Sequence, residues 1–132
     1  MKAIHLLLAE GHATIRDTLK QLLSATDDVL VGGEAVDAEE VLAKVRQRHW
    51  DVLLLGWSMA RPNGLDLIRQ IKNAKPELPI LMLGTHSEAA YTLRALQAGA
   101  SGYLPKDCNS NLLIAGIREV AIGGVCVGGE GA

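Results

Sequence analysis

The chain has 132 residues and a formal net charge of -2 at pH 7, with 48% hydrophobic and 21% charged residues. This length suits one domain, the composition excludes a disordered chain, and the near-neutral charge gives no electrostatic reason to bind nucleic acid or an anionic membrane. No apolar stretch approaches the ~20 residues of a membrane span and the N-terminus lacks a signal-peptide pattern, so a cytoplasmic protein is expected.

Ile4 to Leu8 is a short apolar run, and Thr14 to Leu23 places Ile15, Leu19, Leu22 and Leu23 at helical spacing, so the chain opens as strand then helix. Val29 to Gly33 reads as a second strand. Ala38 to Arg48 follows as a helix, with Val41, Leu42 and Val45 on one face and acids before bases, as the helix dipole prefers. Val52 to Leu55 is continuously apolar, the pattern of a strand covered on both faces. A third helix over Leu65 to Asn73 is ended by Pro76 and Pro79. Ile80 to Leu83 and Ser101 to Leu104 give the fourth and fifth strands. Ala89 to Ala98, closed by Gly99, and Leu112 to Ile122 give the last two helices. Five β-α repeats with short connections imply right-handed crossovers and an open parallel sheet with helices on both sides. With no phenylalanine, its core must be aliphatic. Residues 125–132 carry the glycine content of a linker and are expected to leave a domain of residues 1–124 without adding an element.

In such sheets ligands bind beyond the carboxyl ends of the strands. Those ends read Ala9-Glu10-Gly11, Gly56-Trp57-Ser58, Gly84-Thr85 and Pro105-Lys106, so Glu10 and Lys106 are the ionisable groups left there. No nucleophile and base converge, and an enzyme is not expected. His5, His12, His49 and His86 lack metal-ligand spacing, so no metal site is expected. Cys108 and Cys126 form no CxxC pair and are read as reduced thiols, Cys108 being a bystander rather than an activated nucleophile.

The segments Leu7-Leu-Ala-Glu-Gly-His12, Ala98-Gly-Ala-Ser-Gly-Tyr-Leu-Pro-Lys-Asp107 and Ile122-Gly-Gly124 fall in order across residues 3–124. Together they resemble a bacterial response-regulator receiver domain, CheY-like and of the NarL/FixJ (LuxR-type) branch. The resemblance implies an α/β fold, a (βα)5 doubly wound five-stranded parallel sheet of strand order 2-1-3-4-5, as in flavodoxin. It also implies an acidic pair holding Mg²⁺ after the first strand, a phosphorylated aspartate after the third, Thr or Ser after the fourth and a lysine after the fifth. Such groups offset charge during phosphoryl transfer to a carboxylate. Carried onto this chain, the acidic pair is Glu10 and Gly11, the acceptor position is Gly56, the hydroxyl position is Gly84, the aromatic switch position is Tyr103, and Lys106 is retained. Met59, Asn63 and Gly64 match the loop after the acceptor, with Ala60 where proline is usual.

A glycine at 56 can form no acyl phosphate, and Glu10 alone is a poor seat for Mg²⁺. The expectation is therefore a phosphorylation-independent pseudo-receiver without cofactor or metal. It would act in signal transduction and transcription regulation through protein contacts, as a homodimer, and reach DNA only through a helix-turn-helix output domain outside this chain. The alternative is a small-ligand sensor using the cavity left by Gly11, Gly56 and Gly84 beside Lys106. Since Gly84 offers no hydroxyl, Tyr103 is expected as a fixed surface or interface residue. Trp57 is expected to fill the pocket rim or anchor a partner. Lys106 is read either as pairing with Glu10 or as an exposed lysine.

Overall fold

In a computed structural model, which describes residues 3–56, 59, 64–84, 89–105 and 107–127, the apolar runs become parallel strands separated by helices. The elements are β1 (Ile4–Ala9), α1 (Ala13–Leu23), β2 (Val29–Ala35), α2 (Ala38–Gln47), β3 (Val52–Leu55), α3 (Gly64–Ala74), β4 (Ile80–Gly84), α4 (Ala89–Ala98), β5 (Gly102–Pro105), α5 (Ser110–Ala121) and β6 (Cys126–Val127). The sheet order is β2-β1-β3-β4-β5-β6, every pair parallel. The first five strands stand in the 2-1-3-4-5 order.

Because successive side chains of a strand point to opposite faces, the continuous apolar runs supply two cores at once. Leu7, Leu53, Leu55, Ile80 and Met82 face Val41 and Val45 of α2, Leu67, Ile68 and Ile71 of α3, and Ala95 and Ala98 of α4. Leu6, Leu8, Val52, Leu54, Leu81 and Leu83 face Leu19 and Leu23 of α1 and Leu113, Ile114, Ile117 and Val120 of α5. The largest fully buried side chains are all Leu, Ile or Met, as a chain without phenylalanine requires.

Side-chain caps set two helix starts. The Asp37 carboxylate accepts the Glu40 N–H at 2.8 Å while Glu40 accepts the Val36 N–H at 2.9 Å. The Asn109 side chain accepts the Leu112 N–H at 2.8 Å, which starts α5 at Ser110, two residues ahead of the apolar pattern.

One expectation is corrected. The tail does add an element, since Cys126 and Val127 pair with Gly102 and Tyr103 at the sheet edge. The cause lies in glycines outside the tail: a Cβ on Gly102 would overlap the Cys126 carbonyl oxygen, and one on Gly116 would lie 3.0 Å from the Cys126 sulfur. Their missing side chains make the room in which the edge strand lies.

Candidate functional site

Glu10 and Gly56 follow neighbouring strands, Ala9 being the register partner of Leu55, and the Gly56 N–H donates to the Ala9 carbonyl at 2.6 Å. The Glu10 side chain leans across the gap. It has no solvent exposure, the only charged side chain so deeply buried among the described residues. A buried carboxylate persists only where donors replace water. Here its Oε2 accepts the His12 N–H at 2.7 Å and lies 3.2 Å from His12 Nδ1. His12 is the N-cap of α1, whose first turn carries no acid and whose N-cap side chain makes no capping bond. The Glu10 carboxylate therefore supplies the negative charge that the amino end of α1 favours. Arg16, one turn into the helix, donates to the Glu10 carbonyl at 2.9 Å and to Glu34 at 3.2 Å, while Lys20 donates to Glu34 at 3.0 Å.

A Cβ on Gly56 would overlap Glu10 Oε1 and lie 2.9 Å from the carboxyl carbon. The absent side chain at 56 and the inward Glu10 are thus one arrangement. The same holds at the other glycine. A Cβ on Gly84 would overlap the Tyr103 hydroxyl and lie 2.9 Å from its Cε2. Tyr103 pairs with Met82 on β4, and its ring leans along the strand to the spot beside Gly84, leaving the residue 3% exposed.

These contacts correct two expectations. Tyr103 is a buried residue, not a surface one, because losing the side chain at 84 removes a steric block as well as a hydroxyl. The ligand cavity expected from the glycines is also absent at two of its three corners, where Glu10 and Tyr103 fill the space. Gly11, the third corner, is exposed. A cleft of about 390 Å³ opens instead at the amino ends of the strands, between Arg48, Trp50, Pro76 and Leu78, far from these glycines. Trp57 and Lys106 lie outside the described residues. The Met59 N–H donates to the Gly56 carbonyl at 2.9 Å and its side chain joins the core.

Cys108 and Cys126 are free thiols. Burial pushes both thiols above the usual range, and neighbouring Asp107 adds to the effect on Cys108, which disfavours the thiolate form. Among the described residues no group of three or more His, Cys, Asp or Glu could hold a metal ion. No described helix is long and apolar enough to cross a membrane.

Reading the sequence missed the role of Trp50. Its ring packs on the bulge of β2, where Gly32 is the extra residue between the pairs Leu6–Val31 and Leu7–Gly33. A Cβ on Gly33 would come within 2.7 Å of that ring, and the indole N–H donates to the Lys44 carbonyl at 2.9 Å. The paired glycines inside β2 were the available signal.

Comparison with known proteins places this geometry. Residues 6–118 match the family of response regulator receiver domains. The chain is 33% identical over 120 residues to the uncharacterized transcriptional regulatory protein YxjL of Bacillus subtilis, covering 91% of this chain and 55% of that protein. It is 32% identical over 120 residues to the response regulator UvrY of Escherichia coli, with the same coverage of 91% and 55%. The chain thus spans about half the length of these curated relatives. Among solved structures, a LuxR-family two-component response regulator from Aurantimonas sp. superposes with a TM-score of 0.87 at 26% identity, covering 95% of this chain and 89% of that one. The signal receiver domain of NarL from Mycobacterium tuberculosis gives 0.84 at 26% identity, over 93% and 99%.

Proposed function

The chain belongs to the response regulator receiver domains, and from that premise we propose that it is a receiver of a transcriptional regulator that signals without taking a phosphoryl group. One observation carries this reading: the position after β3, where the family resemblance places the acceptor aspartate, is Gly56, and the space its side chain would need is occupied by Glu10. Glu10 does not stand in as acceptor, because it has no exposure and one oxygen is committed to the amino end of α1. The donor set does not fit Mg²⁺ either. A hard cation of octahedral preference would find one carboxylate already engaged with His12, and glycines at 11 and 56.

Gly84 supports the same reading. With no hydroxyl to respond to a phosphoryl group and no Cβ to exclude Tyr103, the aromatic ring is held inward in the resting protein. The domain then works through protein contacts rather than catalysis, as a homodimer, and DNA is reached through an output domain of a longer protein. The names and lengths of the relatives support that last point.

The test is the backbone amide spectrum of ¹⁵N-labelled protein with and without Mg²⁺ and beryllofluoride, a phosphoryl mimic. The peaks of Glu10, Gly56 and Gly84 are expected to be unmoved at millimolar reagent. Saturable shifts of these peaks would overturn the proposal.

A further inference from the structure

Because all strands are parallel, their amino ends and the carboxyl ends of the helices share one edge of the sheet. There the α2–β3 turn, the α3–β4 turn and the end of α5 enclose the cleft of about 390 Å³, with Val45, Trp50, Pro76, Leu78, Pro79 and Ala121 as its apolar wall. Its shape is fixed by two bonds to backbone: the Trp50 indole N–H donates to the Lys44 carbonyl at 2.9 Å, and Lys72 Nζ donates to the Leu78 carbonyl at 2.9 Å. A preformed hole of this size takes an aliphatic side chain without repacking. Beside it stands a knob. Ile122 directly follows the lining residue Ala121 yet is 81% exposed, and Val125 is 64% exposed, the two most exposed large hydrophobic side chains among the described residues. They flank a turn held by Gly123, in the left-handed region at φ 91°, whose N–H donates to the Val120 carbonyl at 3.0 Å, and by the Gly124 N–H, which donates to the Glu119 carbonyl at 3.0 Å. Ile122 is thus presented to solvent, outside its own cleft.

We propose that two copies of this chain pair through this amino edge, each seating its Ile122 in the cleft of the other; the inference rests on the homodimer of the proposed function and assigns its interface. Knob and hole lie side by side on one edge, so a single two-fold axis exchanges both at once, the self-complementary arrangement that a symmetric dimer requires. The charges around them agree. On the cleft rim, Asp51 is already engaged by the His5 N–H at 2.8 Å and by His49 Nε2 at 3.1 Å, which leaves Arg48, stacked 4.3 Å over the Trp50 ring, and Lys75 against Glu77, a positive surplus. Next to the knob, Arg118 is committed to Asp28, which leaves Glu119 as the uncommitted charge. Among the described residues neither Lys75 nor Glu119 forms an ion pair, and across the two-fold axis the acid beside one knob meets the base beside the other hole.

Sedimentation equilibrium of the chain tests the interface. The parent is expected to dimerise, and Ile122→Glu, at an exposed position, to raise the dimer dissociation constant at least tenfold while the urea midpoint of the monomer stays where it was. Lys75→Glu is expected to weaken the dimer at least threefold, and adding Glu119→Lys to restore it, a rescue that damage to the fold would not show. Ile122→Ser gives the same direction should the glutamate variant not fold. A dimer as tight in the folded Ile122 variants as in the parent would overturn this interface while leaving the homodimer itself intact. A parent that stays monomeric up to millimolar concentration would overturn both.

Discussion

Glu10 and Gly56 define a pair in which one residue's size sets the other's position. Gly56→Ala is expected to cost about 1 to 3 kcal/mol, since a methyl group there must push the carboxylate off its α1 donors. In a Glu10→Ala background the same change should cost at least about 1 kcal/mol less, because residues in contact do not contribute additively. A double-mutant cycle by urea denaturation checks this, and strict additivity would show that the two are independent. At Gly84 the clash falls on the end of a movable ring, so Gly84→Ala is expected to cost about 1 to 3 kcal/mol, the burial of Tyr103 that is lost. Protection of Tyr103 from iodination should fall with it. The glycines were plain in the sequence, but their consequence was not. A linear chain shows which side chain is missing, whereas which neighbour enters the space depends on strand register and on the lean of Glu10 and Tyr103.

Between elements, two contacts join segments that are distant in the chain. Trp50, 5% exposed, closes the β2 bulge, and Trp50→Ala is expected to cost about 3 to 5 kcal/mol, read from the urea midpoint. Arg118 of α5 donates from Nε and Nη2 to the two Asp28 oxygens at 2.8 and 2.9 Å, and Thr26 also bonds Asp28. These hydrogen bonds, that from Arg118 first, hold the Asp28 carboxyl down at about 2, against an ordinary 3.8. A carboxyl whose folded value is lowered contributes stability that is complete above the unfolded value and lost as pH falls through the folded one. The stability difference between the natural protein and Asp28→Asn should therefore persist at pH 6, decline below about pH 4 and level off only below about pH 2. Urea midpoints across that range measure it, and a difference that does not change with pH would remove the ion pair from the account. Element types and most boundaries were legible because periodicity and capping are local. The bulge seat and the Asp28–Arg118 clamp, 90 residues apart, were not, since nothing local marks either partner.

Across the whole molecule, the five β-α repeats made the sheet legible in the sequence, and the resemblance carried by residues 7–12, 98–107 and 122–124 implied its family. The sixth strand escaped because its determinants, Gly102 and Gly116, lie outside the segment that forms it. The fold is intact where helices cover the sheet, while the carboxyl edge has glycine at 11, 56 and 84. On the proposed reading, that combination keeps the fold for protein contact while the acceptor and hydroxyl positions carry no functional group. The central claim, that this receiver signals without a phosphoryl group, is tested most directly by intact mass after incubation with acetyl phosphate and Mg²⁺. The account predicts an unchanged mass at every time point. A stoichiometric +80 Da product mapping to the carboxyl edge of the sheet, at Glu10 or in the segment after β3, would contradict it.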